Sequence, residues 1–316
     1  MAKKYFSKKG VKMINAKVKE ILTKNDVKFT LIIGSGFHYQ FYKKDSILSS
    51  WNLLLESLSP QIKHTGDYHL DFEKIIEAEK TPIEDSNQTE NRLLKKIKKE
   101  IVKEQLYVLN NHYDSYTSWI FNPKFVSDVI SLNFDEIPER LLKNRKNVKL
   151  GKFTNVSSFK KRSQDSYAFL STRHRDISFG NSQNIRFWHP HGVISNNKSM
   201  VLGHHKYAHI LETTIAIRNH HMQLKRKGDM DSTWYQALLN NPVIILGAGM
   251  SSIELDLWFG ITSRNRVNEN SHPIFQMREC GCKNDAQHQW FEPLFVGKTF
   301  SQQWQELEKL FNKKRL

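Results

Sequence analysis

The stretch Arg186-Phe-Trp-His-Pro-His-Gly192 places two imidazoles, His189 and His191, on either side of a proline and just before a glycine. Imidazole is the side chain whose ordinary pKa lies closest to neutrality, so the pair could hold a metal, accept a proton, or be two ordinary surface histidines. The aromatic run before it predicts the end of a half-buried strand, and Gly192 a tight turn after it. A histidine delivered at a strand-to-loop corner is where α/β proteins place chemistry.

Three more corners carry chemically useful residues. In Leu31-Ile-Ile-Gly-Ser-Gly-Phe37, two glycines follow an apolar run, which would let backbone N–H groups approach a phosphate. The third glycine of the dinucleotide fingerprint is missing, so a bare tight turn fits equally. Ser131-Leu-Asn-Phe-Asp135 puts Asn133 and Asp135 just past a strand. They could cap the following helix, or supply an amide that orients water or ribose and a carboxylate that accepts from a carboxamide. Gly247-Ala-Gly-Met-Ser-Ser252 adds glycines and hydroxyls, and Glu254 and Asp256 after it fit a helix start whose dipole favours acids. His204, His205, His220 and His221 add imidazoles without the His-x-x-x-His plus carboxylate pattern of a hydrolytic metal site, so no metal is expected. A Gly-x-Ser-x-Gly elbow, a Gly-Lys-Ser/Thr phosphate loop and the signatures of helix-turn-helix and RRM modules are also missing.

Each corner needs a strand behind it. Four apolar runs that end abruptly in small or polar residues, 28–37, 125–136, 184–192 and 241–252, predict buried parallel strands feeding loops. Residues 46–122 have helical periodicity instead, with Ile47, Leu48, Trp51, Leu54, Leu55 and Leu58, then Leu93, Leu94, Ile97, Ile101, Leu106 and Val108, each forming a stripe. This segment is too long for one crossover and predicts a helical insertion subdomain. A second helical segment is expected over roughly 204–240.

A chain of 316 residues with 48 Lys and Arg against 32 Asp and Glu, net charge +16, would favour polyanionic partners. The charge is spread over short patches such as 93–104 and 141–149, interleaved with helix-period apolar residues, which reads as solvated helix faces. Cys280 and Cys282 are too few for a disulfide framework or a four-cysteine zinc module. With no run of about 18 apolar residues and no leader pattern, a cytoplasmic protein is expected.

In order, Gly-Ser-Gly, Asn-x-Asp, His-Gly and Gly-x-Gly-x-Ser, each at a strand end, the chain resembles the sirtuin superfamily, most of all the sirtuin-like domains of bacterial anti-phage defence proteins. The resemblance covers roughly 28–267 without the helical insert. Smaller matches lie in 50–58, in 200–211 and in Ile253-Glu-Leu-Asp-Leu-Trp258. It implies an α/β fold: one domain over 1–316 with a Rossmann-like parallel sheet of sirtuin type, its core at about 25–45, 123–205 and 240–300, and NAD as substrate. Carried over, Gly34, Ser35, Gly36 and Phe37 would surround the pyrophosphate and near ribose. Asn133 would order water and the nicotinamide ribose, and Asp135 would sit near the carboxamide. His191 would be the base on the ribose hydroxyls, with His189 the weaker candidate. Gly247, Gly249, Met250 and Ser251 would line the adenosine side.

Protein-deacylating sirtuins carry a four-cysteine zinc module and a Pro-Asp-Phe-Arg stretch over the nicotinamide pocket, and this chain has neither. Ser35 and His38 also stand where the family most often has alanine and serine. The resemblance therefore implies an NAD glycohydrolase that releases nicotinamide and ADP-ribose without a metal. It would be a defence effector that depletes NAD and aborts infection when triggered. The alternative is a scaffold that senses NAD or ADP-ribose without turnover. Implied partners are further copies of the chain in a homo-oligomer and a hexameric DNA-translocating HerA-type ATPase, or otherwise a short Argonaute. No membrane contact is implied, and direct nucleic-acid contact stays open.

Overall fold

Runs that are apolar on both faces can only be strands covered on both sides. In the computed structural model, which describes residues 13–24, 27–40, 46–111, 121–143, 145–155, 173–180, 183–227, 233–251, 253–267, 272–278, 290–296 and 299–313, these runs form the centre of the sheet. The strands in chain order are β1 (Met13–Ile14), β2 (Phe29–Ile33), β3 (Val126–Ser131), β4 (Val148–Asn155), β5 (Arg173–Phe179), β6 (Gln183–Trp188), β7 (Val243–Leu246), β8 (Ile274–Gln276), β9 (Glu292–Pro293) and β10 (Phe295–Val296). Eight of them make one sheet in the order β4-β5-β6-β3-β2-β7-β8-β9, while β1 and β10 pair separately. From β6 to β9 every pairing is parallel, and β4 and β5 are joined antiparallel. This is a mixed α/β fold with a mostly parallel, Rossmann-like sheet.

The described helices are α1 (Ala16–Thr23), α2 (Trp51–Glu56), α3 (Tyr68–Glu79), α4 (Ser86–Asn111), α5 (Ile137–Lys143), α6 (His204–Lys227), α7 (Trp234–Asn240), α8 (Leu255–Val267) and α9 (Phe300–Lys313). The period of two along the strands divides them between two layers. Leu31, Ile33, Val129, Phe187, Ile244 and Leu246 join one core with α1 to α5 and α9. Ile32, Ile130, Trp188, Val243 and Ile245 face the other way, against α6, α7 and α8. Burying the sheet on both faces is the dominant apolar term, at about 25 cal/mol per Å².

Two expectations need local revision. The helical pattern of 47–58 yields a helix only from Trp51, because Ser46 and Ser49 turn the chain before it. The Ser46 hydroxyl accepts from the Leu48 N–H at 3.2 Å, and the Ser49 hydroxyl donates to the Ser46 carbonyl at 2.7 Å. The basic patch at 141–149 is not one helix face: α5 stops at Lys143, Asn147 takes a positive φ of 66°, and β4 begins at Val148.

Candidate functional site

β2 is flanked by β3 on one side and β7 on the other, so the chain changes direction across the sheet at β2. Crevices beyond the carboxyl ends of strands at such a switch point are where open α/β sheets bind ligands. A cleft of about 410 Å³ lies there, within the size range of small-molecule sites. Its walls include Gly34, Ser35 and Gly36 after β2, Gly247, Gly249 and Ser251 after β7, Trp51 and Tyr68 from the helices after β2, and Glu254, Gln276 and Arg278.

The two glycine turns interlock. The Gly34 N–H donates to Leu246 at 3.0 Å and the Gly36 N–H to Gly247 at 2.8 Å. A Cβ on Gly34 would lie 2.8 Å from the Ala248 backbone. Gly247 has φ +66°, and a Cβ there would lie 2.1 Å from the Phe37 nitrogen. Backbone surface, rather than the N–H groups of Gly34 and Gly36, therefore faces the cleft. Gly249 differs, since a Cβ there would meet nothing within 4 Å. Phe37 and Met250 turn inward as core side chains, 0% and 1% exposed.

Asn133 follows β3, and its amide donates to the Gly34 carbonyl at 3.1 Å, tying the β3 corner to the β2 corner. Both oxygens of Asp135 are engaged by the protein. Oδ1 accepts the Ile137 N–H at 3.0 Å, capping α5, and Oδ2 lies 2.9 Å from His38 Nε2. Burial disfavours the Asp135 charge, but His38, the Ile137 N–H and His189 together outweigh it and hold the carboxyl below its usual range. Asn133 and Asp135 together line a small void of about 30 Å³ beside Ser35, not the larger cleft.

The corner from His189 to Gly192 is a turn closed by the Gly192 N–H donating to the His189 carbonyl at 3.0 Å, with Pro190 in the position whose fixed φ suits it. Gly192 has φ +97°, and a Cβ there would sit 2.1 Å from the Ser199 carbonyl. The two histidines leave this turn in different company. His189 Nε2 lies 2.7 Å from Glu139 Oε1 at the start of α5. His191 Nε2 lies 2.9 Å from Asp256 Oδ2, and the Tyr207 hydroxyl donates to Asp256 Oδ1 at 2.8 Å. Burial opposes the imidazolium of His191, but the charge and hydrogen bond of Asp256 prevail and raise its pKa above 6.5. His189 is raised in the same way by Glu139.

Of the residues singled out by sequence, Gly34, Ser35, Gly36, Gly247, Gly249 and Ser251 form cleft walls. Asn133, Asp135 and His191 stand just behind them, and Ser252, Cys280 and Cys282 lie outside the described residues. Sequence reasoning took Glu254 and Asp256 for a helix start. They do precede and open α8, but Asp256 orients His191, and Glu254 lines the cleft with Oε2 shielded from solvent and unpartnered. Burial, joined by the nearby Asp256 and opposed by His191, pushes the Glu254 carboxyl up to about 7. The only available signal was the Glu-x-Asp spacing after a glycine turn, which a dipole preference explains equally well.

Among the described residues, no group of three or more His, Cys, Asp or Glu side chains is arranged to hold a metal ion. Among the same residues no helix is long and apolar enough to cross a membrane. Compared with family models and with curated proteins, the chain matches none.

Proposed function

We propose that the protein is an NAD glycohydrolase on a sirtuin-type sheet. One observation supports the reading: the strands bearing the four motifs are neighbours in the parallel order β6-β3-β2-β7, and the corners after β2 and β7 wall one cleft, with the Asn133 amide bonded to the Gly34 carbonyl of that wall. In the reaction the bond between ribose C1′ and the nicotinamide nitrogen breaks, and its electron pair neutralises the pyridinium. A water oxygen bonds to C1′ of the oxocarbenium-like ribosyl group and its proton passes to a base. His191 is that base, acting through the ribose hydroxyls. Asp256 holds one ring nitrogen, which leaves Nδ1 for the proton, the arrangement of a base set by an orienting carboxylate. Such assistance contributes about 10²–10⁴-fold. Asn133 positions the water, and none of these steps requires a metal.

A freely active enzyme of this kind would exhaust cellular NAD. The reading therefore extends to a cytoplasmic anti-phage effector held in a homo-oligomer and triggered by a partner, with a HerA-type hexameric ATPase preferred over a short Argonaute. A second reading, an NAD- or ADP-ribose-sensing scaffold, is favoured by two features: the Asn133 amide is engaged by Gly34, and His191 is only 6% exposed. Nicotinamide release from NAD by the purified chain, alone and with each partner, separates the two. Release supports the hydrolase, whereas tight binding with no release in any mixture supports the scaffold.

A further inference from the structure

We propose that Glu254 is the cleft residue that faces the cationic half of the substrate, the nicotinamide and its ribose, and stabilises positive charge there. The inference rests on the cleft being an NAD site. It starts from the charges on the walls: among the described lining residues, only Glu254 and Arg278 carry one. NAD is itself a zwitterion with a pyridinium and a diphosphate, so one acid and one guanidinium match its two ends. Trp51 and Tyr68, whose rings stack at 5.8 Å and 16°, supply aromatic surface of the kind that attracts a planar cation.

The position of Glu254 decides which end meets it. It shares the cleft wall with Tyr68 of α3, and Asp256, two residues on in α8, lies 2.9 Å from His191 Nε2 and accepts from the Tyr207 hydroxyl of α6 at 2.8 Å, so His191, Tyr207, Tyr68 and Asp256 are the titratable groups around it. It therefore sits with His191, the residue assigned to the nicotinamide ribose. Both Asp256 oxygens are engaged, by His191 and Tyr207. Glu254 Oε2 has no hydrogen-bond partner in the protein. Although the Ser251 backbone hydrogen-bonds to this carboxylate, an oxygen left without a donor beside a cleft is costly until a cation or donor meets it. As the glycosidic bond breaks, positive charge moves from the pyridinium to the ribosyl group, and a fixed carboxylate stabilises that charge without reorganising.

The test compares NAD with NADH, whose dihydropyridine ring is neutral, by calorimetry on the full chain and on Glu254→Gln and Glu254→Asp, from pH 5.5 to 8.5. The parent should prefer NAD by roughly tenfold at pH 8.5, an interaction of the size expected for partly screened charges. This preference should fade as the pH drops through about 7 and the carboxyl takes up a proton. Glu254→Gln should show no preference at any pH, and Glu254→Asp part of it. A parent with no preference, or a Gln variant that keeps a pH-dependent one, overturns the proposal. If the parent shows the preference but releases no nicotinamide alone or with any partner, the hydrolase reading fails and the role of Glu254 stands. If neither nucleotide binds, both fail.

Discussion

The decisive chemistry at the residue scale is the company each acid and imidazole keeps. His189 and His191 are two positions apart and equally buried, yet a different carboxylate holds each, Glu139 from α5 and Asp256 from α8. That divergence could not be read from the local sequence, because both partners arrive from distant elements. The corner itself was legible, since Pro190 and Gly192 specify its backbone. His191 accepts a proton only when neutral, and its pKa is raised, so nicotinamide release should climb with pH through an acid limb above 6.5. A profile of kcat/KM from pH 5 to 9 checks this, and a limb near 4 to 5 would be incompatible with an imidazole base. Stability should run the opposite way. Below 6.5 the protonated His191 keeps its pairing with Asp256 in full, and that contribution is lost as the pH rises through the raised value. Glu254 adds to the decline, because its folded-state carboxyl, near 7, ionises with more difficulty than in the unfolded chain. Glu254→Gln removes that cost. Its melting temperature relative to the parent should therefore rise between pH 5 and pH 8, a trend thermal unfolding at the two pH values would reveal or exclude.

Among the elements, the central strands were the most legible part of the chain. β2 and β7 are buried at every position, and each of their runs ends at a glycine. Less legible were β4 and β5: they contain polar and charged residues, and the first lies in a lysine-rich stretch that matches a solvated helix equally well. Charge pattern distinguishes poorly between an edge strand and an exposed helix face, since both present one side to water. The glycine turns after β2 and β7 read in sequence as candidate phosphate or ribose corners or as bare turns, and their interlocking is a tertiary fact. It separates two glycines that look alike in sequence. Gly247→Ala would force a side chain into a positive φ and against the Phe37 nitrogen, and should cost about 2–4 kcal/mol in urea unfolding. Gly249→Ala meets open space and should stay within about 1 kcal/mol of the parent, while its methyl intrudes on the cleft and weakens nucleotide binding. Equal costs at the two positions would contradict the packing described.

For the whole molecule, the +16 charge and the cleft argue separately. On α4 the lysines Lys95, Lys99 and Lys103 are exposed and lie away from the buried Leu94, Ile97 and Ile101, the pattern of a solvated helix face. Binding to a random DNA duplex should accordingly be weak and collapse with added salt, with a Kd no tighter than about 10⁻⁶ M at 150 mM salt in fluorescence anisotropy. Tighter binding that survives this salt would make the basic surface a functional interface. The cleft beside the adjacent strand corners is the stronger ground, and one comparison addresses its chemistry directly: nicotinamide release from NAD by the parent, Asn133→Ala and His191→Ala, each alone and with the candidate partners, and each with its NAD affinity measured alongside. The parent should release nicotinamide alone or in at least one mixture, and both variants should lose at least about 100-fold of that release with NAD still bound. Release that persists in His191→Ala at the parental rate would contradict this chemistry.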